Sequence, residues 1–367
     1  MKAKMTSMIY IFSLLTFFVA CNSDSSDAID ITDPITSEEG LYFPPLNSST
    51  WETSSLTELN WNETALNDLK IFLEDSDTES FIILKDGKIV VEEYFNGASS
   101  TTLNPWFSAG KTLTAFTVGL AQQDGHLSIT DKTSDYLGEG WTDMLLQEEN
   151  LITIWNQLTM TSGGDFTVIN TNCTDPICLE YLNDAGSFWF YHNAFYSLLQ
   201  PVLDAAIPQG FENYFQTQLE NKIGLSGIWF QSGYNSFYFS NARDMARFGL
   251  LNLNRGNWNG TQLLNETYFD EMTNTSQNLN KGYGYLWWLN GKESYRAPAS
   301  IELFTGFLIP SAPNDLIAGL GANDQKLYIV PSQNLVIIRM GDSGGTNLLG
   351  PSGYDHLLWE KINAVID

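Results

Sequence analysis

Basic residues are scarce in this sequence. Its 367 residues contain 17 Lys and Arg against 43 Asp and Glu, which gives a formal net charge of −26 at pH 7. A surface of that sign repels the phosphates of nucleic acids and of anionic membranes. The composition therefore argues against nucleic-acid binding, and it favours solubility and a neutral or cationic partner.

Histidine and cysteine are rare as well. His126, His192 and His356 lie outside any G-x-S-x-G motif, which gives little support for a Ser-His-Asp triad. Cys173 and Cys178 frame the short loop Cys-Thr-Asp-Pro-Ile-Cys, where a disulfide is favoured over two free thiols. No second cysteine pair or nearby histidine pair completes four ligands, so we expect no metal site and no cofactor.

The N-terminus has the pattern of an export signal. Lys2 and Lys4 precede an apolar run from Met8 to Ala20, which is too short to span a bilayer. Residues 1–20 are therefore predicted to be a signal peptide.

The end of that run, Phe18-Val19-Ala20-Cys21, resembles the lipobox of bacterial lipoproteins, although Phe18 replaces the usual leucine. The resemblance implies that Cys21 is lipidated and becomes the mature N-terminus, and a plain secretory signal is the alternative. Residues 21–48 are polar and acidic, which predicts a flexible tether to a folded domain at 49–367. We accordingly expect an exported protein that is lipid-anchored in the bacterial cell envelope.

The segment around Ser108 combines a hydroxyl and an amine at helical spacing. Apolar residues at 109, 113, 116 and 120 form one buried stripe of a helix that should end near Gly125. Ser108 would lie in its first turn, with Lys111 on the same face. Burial and the helix dipole disfavour a protonated lysine, so Lys111 could activate Ser108 as a base. About one S-x-x-K is expected by chance, and an ordinary core helix is the alternative.

The body begins with a predicted β-hairpin at 80–97, which turns at Asp86-Gly87. From about 126 to 280 the pattern is loop-rich and helical. Helices are expected at 195–206, at 211–221 and, with a capped start, at 240–254.

The C-terminal part returns to strands. Segments 283–291 and 301–309 are rich in β-forming residues, and three apolar runs between 316 and 341 are joined by short polar turns, which predicts an antiparallel meander. A helix from about 354 to 365 closes the chain. This order indicates an α+β fold, in which an antiparallel β-sheet flanked by helices carries a mostly helical inserted subdomain.

A second polar motif interrupts an aromatic stretch. Tyr191 and Asn193 would face the same side of an extended chain and could both point into a cleft. A tyrosine near a lysine amine can relay a proton, and an asparagine can orient the lysine or bind a substrate amide. The alternative is a tyrosine at the rim of the core and an asparagine in a turn.

Taken in order, S-x-x-K on a buried helix, Y-x-N about eighty residues later and a glycine-rich C-terminal strand resemble the serine β-lactamase and penicillin-binding-protein superfamily. The match is closer to its class C-like branch, which includes esterases, D-amino-acid peptidases and amide hydrolases. The similar segments are FSAGKTLTAFTVGLAQQDG, QLTMTSGGDF, DAGSFWFYHNAFYSLL, RDMARFGLL and QKLYIVPSQNLVIIRMG. The resemblance covers nearly all of the body and implies a β-lactamase/transpeptidase-like fold.

The family's motifs imply a role for each matching residue. Ser108 would be the acylated nucleophile and Lys111 the general base or proton shuttle, while Tyr191 and Asn193 form the Y-x-N pair. The third motif aligns with Gly319-Leu320-Gly321.

The oxyanion hole implied by the resemblance consists of the backbone N–H groups of Ser108 and Ala322. One departure affects the expected substrate, because Gly319 stands where the family usually has Lys or His. The cation that holds the carboxylate of a β-lactam or a D-Ala peptide is thus missing, and Lys326 and Arg339 are the candidates to replace it.

Five aromatic residues lie near these motifs, namely Phe188, Trp189, Tyr285, Trp287 and Trp288. They either line an apolar acyl pocket or belong to the core, and the core is favoured.

We therefore expect an exported serine hydrolase that forms an acyl-enzyme on an ester or amide without an obligatory carboxylate. A β-lactamase or D-Ala-D-Ala carboxypeptidase is the alternative among enzymes. A non-catalytic binder of cell-wall or glycan fragments is the alternative outside them, and the joint presence of Ser108, Lys111 and Tyr191 counts against it. The expected partners are a small-molecule or peptide substrate and the lipid anchor, and nothing in the sequence indicates a protein partner.

Overall fold

The computed structural model describes residues 40–46, 48–345 and 350–366. They belong to the second of two units, Gly40–Asp367. The predicted signal peptide, the lipidation site Cys21 and most of the predicted tether lie outside the described residues, so these assignments stay predictions.

The elements of the described ranges are numbered in chain order. The α-helices are α1 (Leu56–Leu59), α2 (Glu63–Asp75), α3 (Lys111–Gln123), α4 (Ser134–Leu137), α5 (Leu146–Glu149), α6 (Ile154–Leu158), α7 (Asn193–Ser197), α8 (Leu199–Ala206), α9 (Phe211–Phe215), α10 (Asn221–Ile223), α11 (Ala242–Leu253), α12 (Glu266–Met272) and α13 (Gly353–Ile366). The strands are β1 (Thr78–Lys85), β2 (Lys88–Tyr94), β3 (Asn104–Pro105), β4 (Gly227–Ser232), β5 (Asn235–Ser240), β6 (Asn257–Trp258), β7 (Thr261–Gln262), β8 (Trp288–Leu289), β9 (Ser294–Tyr295), β10 (Phe304–Thr305), β11 (Ile317–Gly321), β12 (Gln325–Val330) and β13 (Leu335–Gly341).

An antiparallel six-stranded sheet in the order β2-β1-β13-β12-β11-β8 forms the centre of the domain. The predicted hairpin is confirmed as β1 and β2. Its turn places Asp86 at φ 52° and Gly87 at φ 83°, and a Cβ on Gly87 would lie 2.0 Å from the carbonyl oxygen of Tyr42. Glycine is therefore required there. The predicted C-terminal meander is confirmed as β11, β12 and β13.

Helices cover both faces of this sheet. Side chains alternate between the faces of a strand, so Leu327 and its neighbour Tyr328 point in opposite directions. Leu327 packs towards Gly249 of α11, whereas the ring of Tyr328 lies 5.5 Å from that of Trp359 of α13. Helix α2 packs beside α13, where Phe72 stacks on Tyr354 at 5.5 Å. The α+β fold predicted from the sequence is thus confirmed.

The inserted region differs from the prediction in two respects. Besides short helices it contains strands β4 and β5, which form a three-stranded sheet in the order β3-β5-β4 with β3 from before the insertion. Its helix α11 packs on the central sheet rather than within the insertion. The start of α11 agrees with the prediction of a capped helix, because the Asn241 side chain accepts a bond from the Asp244 N–H at 3.0 Å.

The prediction of strands over 283–291 and 301–309 is mostly wrong. Only the two-residue strands β8 and β10 form there, and Leu286 adopts φ 62° in a turn between them and α12. Trp287 and Trp288 are buried although most of this segment is irregular. Strand propensity in aromatic residues largely reflects burial, which a loop folded into the core satisfies equally well.

The folded domain begins earlier than residue 49. Within the segment assigned to the tether, the Tyr42 N–H donates to Asp86 O at 3.0 Å and the Phe43 ring meets Trp258 edge-on at 5.0 Å. The apolar run Leu41-Tyr42-Phe43 explains the difference, because it has a hydrophobic surface to bury. None of the helices in the described ranges has the length and apolar character that a membrane span needs.

The contact between α11 and the sheet leaves no room for a larger side chain at Gly249. A Cβ there would lie 2.4 Å from Val336 Cγ1 and 3.0 Å from Leu327 Cδ1. We expect Gly249→Ala to lower the free energy of unfolding by about 1–3 kcal/mol through overpacking. Urea unfolding measures the change. Gly353→Ala is the control, because a Cβ at that position would have no described atom within 4 Å, and equal midpoints for the two variants would contradict this packing.

Candidate active site

Ser108 lies in a 3₁₀ turn, Phe107–Gly110, which leads directly into α3. The turn is fixed to the small sheet, because the Trp106 N–H donates to Tyr238 O and its indole Nε1 donates to Ser240 Oγ, both at 2.8 Å. The predicted helix is confirmed, including its end near Gly125, which has φ 76°. Ser108 precedes the α-helix rather than belonging to its first turn.

The residue before Ser108 has a strained backbone. Phe107 adopts φ 45°, in the left-handed region that bulky side chains rarely occupy. Its ring packs edge-on against Phe237 at 5.3 Å. Such strain persists only where the surroundings impose it, and it is common at functional sites.

Lys111 lies beside Ser108, and its Nζ is 3.2 Å from Ser108 Oγ. The lysine is 4% exposed and is surrounded by aromatic rings, with Nζ 4.1 Å from the ring centre of Tyr196 and 5.2 Å from that of Tyr191. Among the described residues no carboxylate forms an ion pair with it. Desolvation lowers the pKa of Lys111 from its usual value to about 7. A large fraction of the amine is therefore neutral at physiological pH.

Tyr191 faces the same two groups. It is 8% exposed, and burial raises its pKa well above the usual value, while a hydrogen bond with Ser108 acts in the opposite direction. The phenol thus keeps its proton at neutral pH. Asn193 begins α7, and its buried Oδ1 has no hydrogen-bond partner among the described residues.

His192, which lies between these two residues, has a structural role. Its Nε2 is 3.2 Å from the carbonyl oxygen of Asp165, and its ring lies 4.9 Å from that of Phe195. Burial lowers the pKa of His192 to about 4, so the ring is neutral. It does not line the cavity that contains Ser108.

That cavity has a volume of about 550 Å³, which is within the usual range for small-molecule sites. It contains Ser108, Tyr191, Asn193 and Ala322, four of the residues that the sequence assigned to the site. In the described part of the chain, all of the residues that line it are uncharged: Ser108, Phe166, Thr171, Asn172, Phe190, Tyr191, Asn193, Pro298, Ala299, Ile301, Ala322 and Gly350.

The third motif lies on β11, against the turn that carries Ser108. A Cβ on Gly321 would lie 2.4 Å from Trp106 O, and a Cβ on Gly319 would lie 3.2 Å from Thr112 Cγ2. Leu320 between them is 1% exposed. The two glycines therefore permit β11 to approach the Ser108 turn closely, and Ala322 follows at the cavity wall.

Neither Lys326 nor Arg339 replaces the cationic side chain that is missing at position 319. Lys326 is fully buried and its Nζ lies 3.0 Å from Asp324, 2.9 Å from Asp355 and 3.0 Å from the carbonyl oxygen of Gly350. Arg339 is also fully buried, and its guanidinium donates to Thr78 Oγ1 and to three backbone carbonyls. Both side chains stabilise the fold and are not free to bind a substrate carboxylate.

The aromatic residues of the cavity are not the ones considered from the sequence. Four of those five, Trp189, Tyr285, Trp287 and Trp288, are buried in the core, and Phe188 stacks on Phe166 without lining the cavity. The wall itself is formed by Phe166 and Phe190. Both lie in or beside segments that carried the family resemblance, which is the signal that could have identified them.

The disulfide between Cys173 and Cys178 is confirmed, with Cα atoms 5.8 Å apart. It closes the loop that follows Thr171 and Asn172, two residues of the cavity wall. In the part of the chain that the structure describes, no three His, Cys, Asp or Glu side chains converge as a metal site.

Comparison with solved structures shows the same architecture. A protein assigned as a 6-aminohexanoate-dimer hydrolase from Bacillus anthracis is 17% identical with a TM-score of 0.67, covering 88% of each chain. A penicillin-binding-protein homologue from Caulobacter crescentus is 12% identical with a TM-score of 0.63, covering 86% of this chain and 99% of its own. A penicillin-binding protein from Bacillus halodurans is 17% identical with a TM-score of 0.59, covering 81% and 99%.

The family follows from a match over most of the chain. The model of the family described as Beta-lactamase matches residues 77–356, and this chain belongs to that family. No curated protein matches the sequence. Proteins of the β-lactamase and penicillin-binding-protein fold are in general serine hydrolases, which is consistent with serine hydrolase activity here.

Lys326 connects two parts of the cavity wall. Its ammonium pairs with Asp324, which follows Ala322 closely in the chain, and donates to the carbonyl oxygen of Gly350, another lining residue. We expect Lys326→Met to lower the free energy of unfolding by about 3–5 kcal/mol, because it leaves two buried carboxylates without their cation. Urea unfolding measures it. Lys70→Met is the control, because its partner Glu93 is partly exposed, and the change should stay below about 1 kcal/mol. Similar losses in both variants would contradict this assignment.

Proposed function

We propose that this protein is a serine hydrolase that cleaves an uncharged ester or amide through an acyl-enzyme on Ser108. The observation that supports this most is the 3.2 Å contact between the hydroxyl of Ser108 and a buried amine whose pKa is about 7. An amine that is neutral at the working pH can accept the hydroxyl proton as the oxygen attacks.

In the first half-reaction Ser108 Oγ attacks the carbonyl carbon and Lys111 Nζ takes its proton. The tetrahedral oxyanion would accept hydrogen bonds from the backbone N–H groups of Ser108 and Ala322. Collapse breaks the bond to the leaving group, which takes up the proton from Lys111, directly or through the Tyr191 phenol. Because burial keeps Tyr191 protonated, its part is that of a donor or relay, and the base is Lys111.

In the second half-reaction a water molecule attacks the acyl-serine. Lys111 removes a proton from that water, and the same proton returns to Ser108 Oγ as the acid product leaves. Asn193, whose Oδ1 has no partner among the described residues, would accept a bond from a substrate amide or hydroxyl in the cavity.

The substrate class is inferred from the charges. None of the described lining residues could form an ion pair with a carboxylate, and the net charge of −26 repels anions at longer range. Esters and amides without a carboxylate therefore fit the cavity better than β-lactams or D-Ala peptides.

We further propose that the enzyme works outside the cytoplasm, held by a lipid on Cys21 in the bacterial cell envelope. This rests on the basic start, the short apolar run and the lipobox-like Phe18-Val19-Ala20-Cys21.

Replacement of the nucleophile tests the mechanism. Ser108→Ala should abolish turnover of short-chain p-nitrophenyl esters and covalent labelling by a serine-reactive fluorophosphonate, because the hydroxyl that carries the acyl chain is gone. Intact-mass spectrometry after exposure to esters and to penicillin identifies the adduct. Ser197→Ala, a change in α7 outside the cavity, should keep both properties. Turnover by Ser108→Ala would refute the nucleophile, and penicillin hydrolysis as fast as the best ester would refute the substrate class.

The pH dependence tests the base. The folded-state pKa of Lys111 lies near 7 instead of 10.5, so the neutral form grows as the pH rises through 7. For an ester without a titratable group, kcat/KM should rise about tenfold per pH unit below 7 and level off above it. Lys111→Ala should reduce the plateau by about 10²–10⁴. A flat profile between about pH 5.5 and 8.5 would show that another group is the base.

A further inference from the structure

We propose that the cavity contains a subsite for an uncharged apolar chain or ring of the substrate, formed by Phe166 and Phe190 on one side and by the segment 298–301 on the other. The inference rests on the proposed function, since the apolar group would belong to the ester or amide that Ser108 attacks. It narrows that substrate to one carrying a sizeable apolar group on one side of the scissile bond.

The first wall is a stack of three phenylalanine rings. Phe166 lies 4.6 Å from Phe190 and 5.5 Å from Phe188, with interplanar angles of 22° and 19°. Phe166 and Phe190 line the cavity, whereas Phe188 stacks on Phe166 outside the lining. An apolar surface of aromatic rings binds methylene chains and rings through burial of apolar area.

Backbone contacts hold these rings in place. The Phe190 N–H donates to Met160 O at 3.1 Å, and the Asp165 N–H, one residue before Phe166, donates to Glu180 O at 2.8 Å. The carbonyl oxygen of Asp165 also meets His192 Nε2 at 3.2 Å. The wall is therefore preorganised, which reduces the entropic penalty of binding.

The second wall continues from the cavity onto the surface. Pro298, Ala299 and Ile301 line the cavity, and Ile301 is 51% exposed. Beyond it, Leu303 is 53% and Phe307 38% exposed. We infer that these exposed apolar side chains form a track for the part of a substrate group that extends beyond the cavity.

Arg296 joins the two walls without placing a charge in the cavity. Its guanidinium lies 5.8 Å from the ring centre of Phe188, and it donates to the backbone carbonyls of Leu279 and Ile301. It does not line the cavity. The positive group thus positions the apolar walls, which agrees with an uncharged ligand between them.

The test uses the full chain and two ester series, one with the acyl chain lengthened from acetyl to octanoyl on p-nitrophenol, the other with the alcohol lengthened on an acetyl group. In one of the series kcat/KM should rise by up to about fourfold per methylene until the track is filled. Phe166→Ala and Ile301→Ala should each reduce the octanoyl-to-acetyl or octyl-to-methyl ratio by about tenfold or more. Because the ratio compares two substrates on one protein, partial unfolding of a variant does not affect it.

Ile177→Ala is the matched control, because Ile177 is 74% exposed in the disulfide loop next to the cavity but does not line it. Its ratio should equal that of the unmodified protein. Flat chain-length profiles in both series, or ratios unchanged in Phe166→Ala and Ile301→Ala, would overturn the subsite while leaving the hydrolase intact.

Failure of the hydrolase itself is recognised separately. If no ester is turned over, calorimetric titration of the Ser108→Ala protein with the same esters measures their affinity for the subsite directly. Affinity that grows with chain length and is lost on adding Phe166→Ala supports the subsite, and affinity independent of chain length overturns it.

Discussion

The burial of Lys111 among aromatic rings, without a carboxylate to pair with in the described part of the chain, is the constraint on which the candidate site depends. Paired with a carboxylate, the amine would stay protonated and could not accept a proton from Ser108. Its place as the first residue of the buried helix α3 leaves it beside the Ser108 turn and away from solvent. Desolvation alone therefore produces the neutral base that a serine nucleophile needs.

The glycine at 319 is consistent with this constraint. A lysine at that position would add a positive charge near the candidate site and lower the pKa of Tyr191. The phenol could then act as the base in place of the Lys111 amine. With glycine there, burial dominates and Tyr191 remains a protonated donor. The same change removes the family's partner for a substrate carboxylate, so glycine at 319 is consistent with both the proposed proton chemistry and the proposed substrate preference.

Fixing a neutral amine and a strained turn in the interior requires rigid surroundings. Phe107 is held at φ 45° by its neighbours, and beyond the adjoining end of β11 Asn323 and Asp324 adopt φ values of 55° directly after Ala322. Asp324 is anchored there by Lys326 at 3.0 Å. Buried charges thus stabilise the backbone around the cavity while the described cavity lining stays uncharged.

The sequence predicted the elements whose patterns are local. The hairpin around Asp86-Gly87, the helix after Ser108 and the meander of β11, β12 and β13 depend on turn chemistry and periodicity, and all three are confirmed. The pairing of Ser108 with Lys111 also followed from spacing along one turn. By contrast, Phe166 and Ile301 lie in loops far apart in sequence, and no local pattern indicates that both line the same cavity.

The region from 283 to 309 shows why the remaining parts were missed. Its tryptophans satisfy the pattern of a strand, yet they fill the core from an irregular segment, and the chain beyond them is free to form the second wall of the cavity. Lys111 belongs to the predicted helix α3, whereas Ser108 lies in the 3₁₀ turn before it and Tyr191 in an irregular segment, and loops form most of the cavity wall. The described loops present no charge to the cavity, where the apolar Phe166, Phe190 and Ile301 lie with the polar Thr171 and Asn172. The proposed selectivity near Ser108 would therefore depend on burial, shape and hydrogen bonding. The net negative charge acts at the approach of a molecule to the protein, because its repulsion of anions extends over about 10 Å at 0.1 M salt and is screened beyond that.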